Sequence, residues 1–206
     1  MKHLKEKGFL LVVSGPSGAG KGMIINGLLN RIDNLEFVVS WTTRQPRPNE
    51  VDDVHYKFVS KETFQEKVQA KGFLEWAIVY DQFYGTPMDS VENLISQGKI
   101  AVLEIDTQGA RSIRTNPAIN EVSIFVIPPD AETLAKRLTG RGTESEEYLK
   151  IRLKESIREV EEARYFDYIV INDEIKKAIE DAEMAVRGEF HRSRWVFDRI
   201  ISGFKK

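Results

Sequence analysis

The sequence predicts an α/β fold of three layers, a parallel core sheet flanked by helices, on three observations. Residues 9–13 (FLLVV) form an aliphatic run without alternation, which suits a strand buried on both faces. That run ends at a glycine-rich turn, after which Met23, Ile24, Gly27, Leu28 and Ile32 recur at helical spacing. Similar runs return at 100–105 (IAVLEI), 122–127 (VSIFVI) and 168–171 (YIVI), each followed by polar residues and a helical pattern. Repeated strand-helix units argue for a parallel sheet.

Between residues 40 and 88 the texture changes to prolines (46, 48 and 87), closely spaced aromatics and short strand-like pieces, as expected of a mixed α/β lobe inserted in the core. Ser60 is placed to cap a helix with an acid in its first turn and Phe64 and Val68 on one face; it closes near Gly72. A second helix is predicted from about Asp89 to Gln97, with Val91, Leu94 and Ile95 inward and Gly98 as its stop. Thr143-Glu-Ser-Glu146 matches a capping box ahead of an apolar stripe at Leu149, Leu153, Ile157 and Val160. The last 20 residues hold six Lys/Arg against two acids with Phe190, Trp195, Val196, Phe197, Ile200 and Ile201 interspersed; this suits a terminal helix packed on the core, or an interaction surface.

A formal net charge of -2 gives no general attraction for nucleic acid or anionic lipid, so any anionic ligand must be held by local cations. The absence of cysteine excludes disulfides, thiolate metal sites and cysteine nucleophiles. The apolar run near the start is far shorter than the roughly 20 residues a membrane span needs, and the chain reads as cytoplasmic.

The turn itself is GPSGAGKGM, residues 15–23. Against the phosphate-loop pattern G-x-x-x-x-G-K-[ST], Gly15, Gly20 and Lys21 fall in place, but Gly22 and Met23 stand where a magnesium-reaching hydroxyl is expected. Glycines let successive N–H groups turn toward phosphate oxygens, the next helix adds its positive end, and Lys21 supplies a mobile charge. The backbone of Gly15, Pro16, Ser17, Gly18, Ala19, Gly20, Lys21 and Gly22 is therefore the candidate nucleotide-phosphate cradle. In Ser40-Trp-Thr-Thr-Arg-Gln-Pro-Arg-Pro48, Pro46 and Pro48 keep Arg44 and Arg47 out of a helix, so two guanidiniums can converge on one anion; a solvated basic loop has the same composition.

In order along the chain stand GPSGAGKG, TTRQPRP, HYKFVS, GFLEWA, FYGT, LEIDTQGA, RLTGRGTESEE and VINDE. Through these blocks the sequence resembles the guanylate kinases from about residue 8 to residue 190. The resemblance implies a P-loop nucleoside monophosphate kinase fold with a core (1–39, 89–136, 153–206), a GMP-binding lobe (40–88) and a lid (137–152). It implies phosphoryl transfer from ATP to GMP, with Mg2+ as cofactor and dGMP as a further acceptor. Monomer and homodimer both remain compatible. By the same resemblance Arg44 and Arg47 grip the acceptor phosphate with Tyr56 and Tyr84, Glu75 reads the base, and Ser40 and Thr86 supply base-contacting hydroxyls. The chemistry supports Glu75: guanine offers N1–H and N2–H donors side by side to one carboxylate, and adenine does not.

Arg137, Arg141 and Arg152 match lid arginines that stabilise charge on the transferring phosphoryl group, although salt bridges with Glu144, Glu146 and Glu147 are the alternative. Glu104 and Asp106 end an apolar strand where carboxylates can hold water-bound magnesium or the acceptor; the family usually has Asp at the first position, and either acid also suits a helix cap. Asn172 and Asp173 match a loop flanking the donor adenine, or a turn. The rival from another class is a guanylate-kinase-like binding module that has lost phosphoryl transfer, favoured by Gly22-Met23 and opposed by Lys21 and the arginines. A kinase for another monophosphate is a nearer alternative, opposed by Glu75.

Overall fold

The computed structural model describes residues 8–79, 81–116, 119–139 and 146–193, with residues 197, 200, 201 and 204 of the tail; at 139 and 146–153 only the backbone is described. The elements run β1 (Leu10–Ser14), α1 (Lys21–Leu29), β2 (Leu35–Phe37), β3 (Trp41–Thr42), β4 (Lys57–Phe58), α2 (Lys61–Gln69), β5 (Phe73–Val79), β6 (Gln82–Pro87) and α3 (Met88–Ser96). They continue β7 (Ile100–Glu104), α4 (Thr107–Arg114), β8 (Glu121–Ile127), α5 (Ala131–Thr139), α6 (Glu146–Glu161), β9 (Tyr168–Ile171) and α7 (Ile175–Glu189).

Five strands form a parallel sheet in the order β2-β7-β1-β8-β9. Alternate residues of β1 serve opposite cores. Leu11 and Val13 face Ile24, Ile25 and Leu28 of α1 and Ala178, Ala182 and Val186 of α7. Leu10 and Val12 face Val91 of α3 and Ala110 and Ile113 of α4. A strand with apolar neighbours above and below must be apolar throughout, which is why residues 9–13 show no alternation. A second, mixed sheet, β4-β3-β6-β5, is built wholly from residues between the core strands β2 and β7.

The caps explain where helices stop. Ser60 accepts from the Thr63 N–H at 3.2 Å and starts α2. At the end of α3, Gly98 takes a φ of 83°, its N–H bonds Ile95 O, and the Lys99 N–H reaches back to Leu94 O. α2 closes near Gly72, as expected. The left-handed residue there is Lys71 (φ 52°), and Gly72 is the next residue, whose N–H bonds Lys67 O.

Five details depart from the sequence pattern. Met23 is 58% exposed, and the buried face of α1 uses Ile25 instead. In α6, Ile157 is exposed while Ser156 is buried, and the side chains of Leu149 and Leu153 lie outside the described residues. The edge strand β9 buries Val170 against the core of α1 and α7 but exposes Ile169 and Ile171, which point to its other face. β2 is three residues long, too short to declare itself by pattern. In the tail, Phe190 packs edge-on against Phe9, whereas Phe197 and Ile200 are exposed; Trp195 and Val196 lie outside the described residues.

Candidate active site

The glycine-rich loop leaves the carboxyl end of the central strand β1 and enters α1, the crevice position where open α/β sheets bind ligands. Gly15 has φ 140°, and a Cβ there would lie 2.1 Å from Val126 O of β8, so only glycine fits. Gly20 (φ 91°) is the N-cap of α1, and no side chain caps this helix. A Cβ on Gly20 would meet Asn172 Nδ2 at 2.3 Å. Asn172 is 1% exposed and donates that amide to Ala19 O at 2.7 Å, so it braces the loop from beneath. The result is an anion-accepting helix N-terminus whose N–H groups are not taken by a capping side chain. Lys21 Nζ donates to Gly15 O at 2.8 Å and to Pro16 O at 3.2 Å. Arg137, near the end of α5, donates through Nη2 to Asn172 O at 2.9 Å, and its Nη1 is buried without a hydrogen-bond partner among the described residues. The root of the predicted lid is thus tied to the residue that braces the loop.

Just beyond β3, Arg44 is partly buried among polar and aromatic partners. Its Nε donates to Tyr84 Oη at 3.2 Å, Nη1 and Nη2 make a bidentate pair with Glu50 at 2.8 and 2.9 Å, and its Cζ lies 5.5 Å from the Tyr56 ring centroid and 5.7 Å from that of Phe58. A tight turn brings Glu50 back: its N–H bonds Arg47 O, and Asn49 takes φ 74°, as the third residue of a type II turn requires. The Arg44 guanidinium holds the Glu50 carboxyl down to about 2, with the Arg47 N–H at 2.7 Å adding to the effect. Arg47 itself is exposed. Burial, with Glu104 nearby, pushes the Tyr56 hydroxyl up to about 12, so it stays a neutral donor at all working pH.

On the next part of the same sheet, Glu75 is 8% exposed, accepts from Thr86 Oγ1 at 2.7 Å, and Thr86 Oγ1 lies 3.4 Å from Ser40 Oγ. Burial, with Asp106 as a like charge nearby, pushes the Glu75 carboxyl up to about 7. Between the two halves stands Glu104, at the end of β7 and in register with Val13 of β1. A Cβ built on Gly22 would lie 3.3 Å from Glu104 Oε2, so the carboxylate lies beside the residue that replaces the usual hydroxyl. Asp106 caps α4, its Oδ1 accepting from the Gly109 N–H at 2.8 Å.

The structure therefore gathers Ser40, Arg44, Tyr56, Glu75, Tyr84, Thr86 and Asp106 around the second sheet and its junction with the core. It places Gly15, Pro16, Ser17, Gly18, Ala19, Gly20, Lys21 and Gly22 in the loop. Asn172, expected in a loop flanking the donor base or in a turn, is buried and bonds the backbone of the phosphate loop. Arg141 lies outside the described residues, and of Arg152 only the backbone in α6 is described. Glu50 and Phe58, which hold and cover Arg44, were not among the expected site residues; the signal available was an acid three residues after Arg47.

A phosphate loop on the central strand of a parallel sheet, facing a separate lobe with an arginine–tyrosine cluster and a buried carboxylate, defines a P-loop phosphotransferase with a site for a second ligand. A guanylate kinase family profile matches residues 7–189. A guanylate kinase of Symbiobacterium thermophilum is 44% identical over 189 residues, which cover 92% of this chain and 89% of that relative. That of Clostridioides difficile is 41% identical over 201 residues, covering 98% of each. The crystal structure of guanylate kinase from Anaplasma phagocytophilum superposes with a TM-score of 0.77 at 30% identity, covering 93% of this chain and 91% of that one. The chain belongs to the guanylate kinase family.

Proposed function

We propose that the loop after β1 and the lobe formed by residues 40–88 are the donor and acceptor sites through which this chain, as an ATP:GMP phosphotransferase, converts ATP and GMP to ADP and GDP. The observation that carries the guanine reading is Glu75, a buried carboxylate with Thr86 on one oxygen and the other turned toward the first turn of α4. Leaving such an acceptor unmatched by adenine costs about 1 to 3 kcal/mol.

A phosphate oxygen of GMP attacks the γ-phosphorus as its bond to the bridging β-oxygen breaks. That oxygen is already ionised at neutral pH, so no side-chain base is required. The protein's work is to bring two polyanions in line and to exclude water. Lys21 and the loop N–H groups take the donor phosphates. Arg44, Arg47, Tyr56 and Tyr84 take the acceptor phosphate, and Glu50 keeps the Arg44 fork in plane. Arg137, Arg141 and Arg152 are the cations assigned to the charge on the transferring group. Asn172 acts on the donor through the loop it braces.

Among the described residues no cluster of three or more acids, histidines or cysteines could hold a metal ion by itself. Magnesium at phosphoryl-transfer sites uses one or two carboxylates, waters and substrate phosphates, and the Glu104 carboxylate beside Gly22 fits that donor set. Glu104 and Asp106 would hold it, in part through water, and when bound it would supply charge neutralisation at the donor phosphates. Gly22→Ser places a hydroxyl next to Glu104 and is expected to lower the Mg2+ concentration giving half-maximal rate. An unchanged requirement would show that the ion does not approach residue 22. Among the described residues no helix is long and apolar enough to cross a membrane; the cytoplasmic location is our proposal.

The direct test of the function is ADP release from ATP-Mg2+ with GMP, dGMP, AMP, UMP and CMP. Turnover with GMP and dGMP alone is expected. Turnover with no acceptor, despite GMP binding, would instead define a binding module.

A further inference from the structure

Gly109 is the third residue of α4, one turn beyond its Asp106 cap, and is buried. Its φ lies outside the left-handed region, so nothing in its backbone calls for glycine. Glycine is the poorest helix former after proline, and local folding would favour alanine here. What excludes alanine is Glu75. A Cβ on Gly109 would lie 2.7 Å from Glu75 Oε2 and 3.2 Å from its Cδ, with Asp106 Oδ1 at 3.4 Å. Even close carbon–oxygen contacts lie at about 3.3 to 3.6 Å. Nor can the carboxylate retreat freely, because Thr86, itself fully buried, holds the other oxygen at 2.7 Å.

We propose that Gly109 is a specificity-determining position of this enzyme. Its bare Cα is the floor on which the Glu75 carboxylate rests, and any side chain there displaces that carboxylate from the place where it meets both guanine donors. The proposal rests on Glu75 as the base reader. Gly109 acts through Glu75 and is a positioning residue. It also joins the two halves of the molecule, since Glu75 belongs to β5 of the lobe and Gly109 to a helix of the core. The base reader is thus set in place by lobe and core together, and the packing of α4 on β5 is part of the acceptor site.

The test is steady-state kinetics of G109A, E75D, E75Q and the double variant G109A/E75D with GMP, AMP and ATP. In G109A the KM for GMP is expected to rise on the order of tenfold to a hundredfold, the scale of a small misplacement in a site, with the KM for ATP essentially unchanged. Aspartate at 75 is one methylene shorter and withdraws from the added methyl, so in the E75D background the same substitution changes the KM for GMP far less. An unchanged KM for GMP in G109A, an equal rise for ATP, or the same rise in both backgrounds overturns the proposal. If G109A does not fold, the double variant, free of the clash, is expected to fold, and its failure to do so places the constraint elsewhere and overturns it as well. E75Q separates the two levels. A GMP-over-AMP preference left intact in E75Q refutes base reading by Glu75; a preference lost in E75Q but unmoved in G109A refutes the role of Gly109 alone.

Discussion

Lys21→Ala is expected to lower kcat by on the order of 10³ while leaving thermal stability nearly unchanged. The loop's shape is fixed by other means: the close approach of Gly15 to Val126 O, and the Asn172 amide on Ala19 O. Lys21 does donate to the carbonyls of Gly15 and Pro16, but these bonds lie in a partly buried, ligand-facing region where water can replace the ammonium. The KM for GMP should change little, because the arginine–tyrosine cluster lies on the other sheet. ADP release and thermal unfolding, measured together, decide the matter. A fall in melting temperature that accounts for the lost activity would make Lys21 a brace of the loop and not a partner of the transferring phosphoryl group.

Glu75→Gln is expected to move function and stability in opposite directions. The amide can still accept from Thr86 but presents an N–H₂ where guanine needs an acceptor, so GMP-over-AMP preference should fall by about 1 to 3 kcal/mol. Stability should rise. The Glu75 carboxyl has an ordinary value near 4.5 and about 7 in the fold. A raised value means that the folded state resists ionisation. The stability is fully present below pH 4.5, declines as pH rises toward 7, and the loss is complete above it, at about 3 kcal/mol. The neutral E75Q protein escapes this cost, so its advantage in melting temperature over the parent should appear above pH 4.5 and level off above 7. In the parent, GMP binding should weaken below pH 7 as the reader protonates, and E75Q should lack that limb. A melting difference independent of pH would show that Glu75 is not held against ionisation.

The opposed signs show where function overrides folding. A buried carboxylate and a glycine in the first turn of α4 are both poor choices for stability, and they stand in contact with each other. Lys71 is a counter-example: a non-glycine residue at the left-handed end of α2, with glycine one place too late. There the chain accepts a small backbone strain at a lysine.

The strand–loop–helix geometry of the proposed donor site was legible because it is local. Gly15, Gly20 and Lys21 lie within seven residues, and their spacing alone builds an anion cradle between strand and helix. The acceptor residues were legible only through ordered blocks resembling a family. Glu75 lies in β5, Thr86 in β6 and Ser40 just before β3, and no spacing rule joins them. Glu50 was missed because an acid after two arginines reads as a solvated charge until the turn at Asn49 folds it onto Arg44. Met23 was misplaced because helical periodicity tolerates a shift of one position, and only the packing of α7 and the sheet shows that Ile25 faces inward.

By itself, then, the sequence determined the strand and helix periods, the glycine-rich loop that we propose as the phosphate site, and the family to which the blocks point, because these depend on neighbours a few residues apart. Only the tertiary structure decided that Asn172 braces the loop from below, that Glu104 stands beside Gly22, and that Glu75 rests on Gly109 across the junction of lobe and core. Each of these is a contact between residues 30 or more apart in the chain. Such contacts are set by strand order and register, which bring distant segments to one sheet edge and leave no trace in local periodicity.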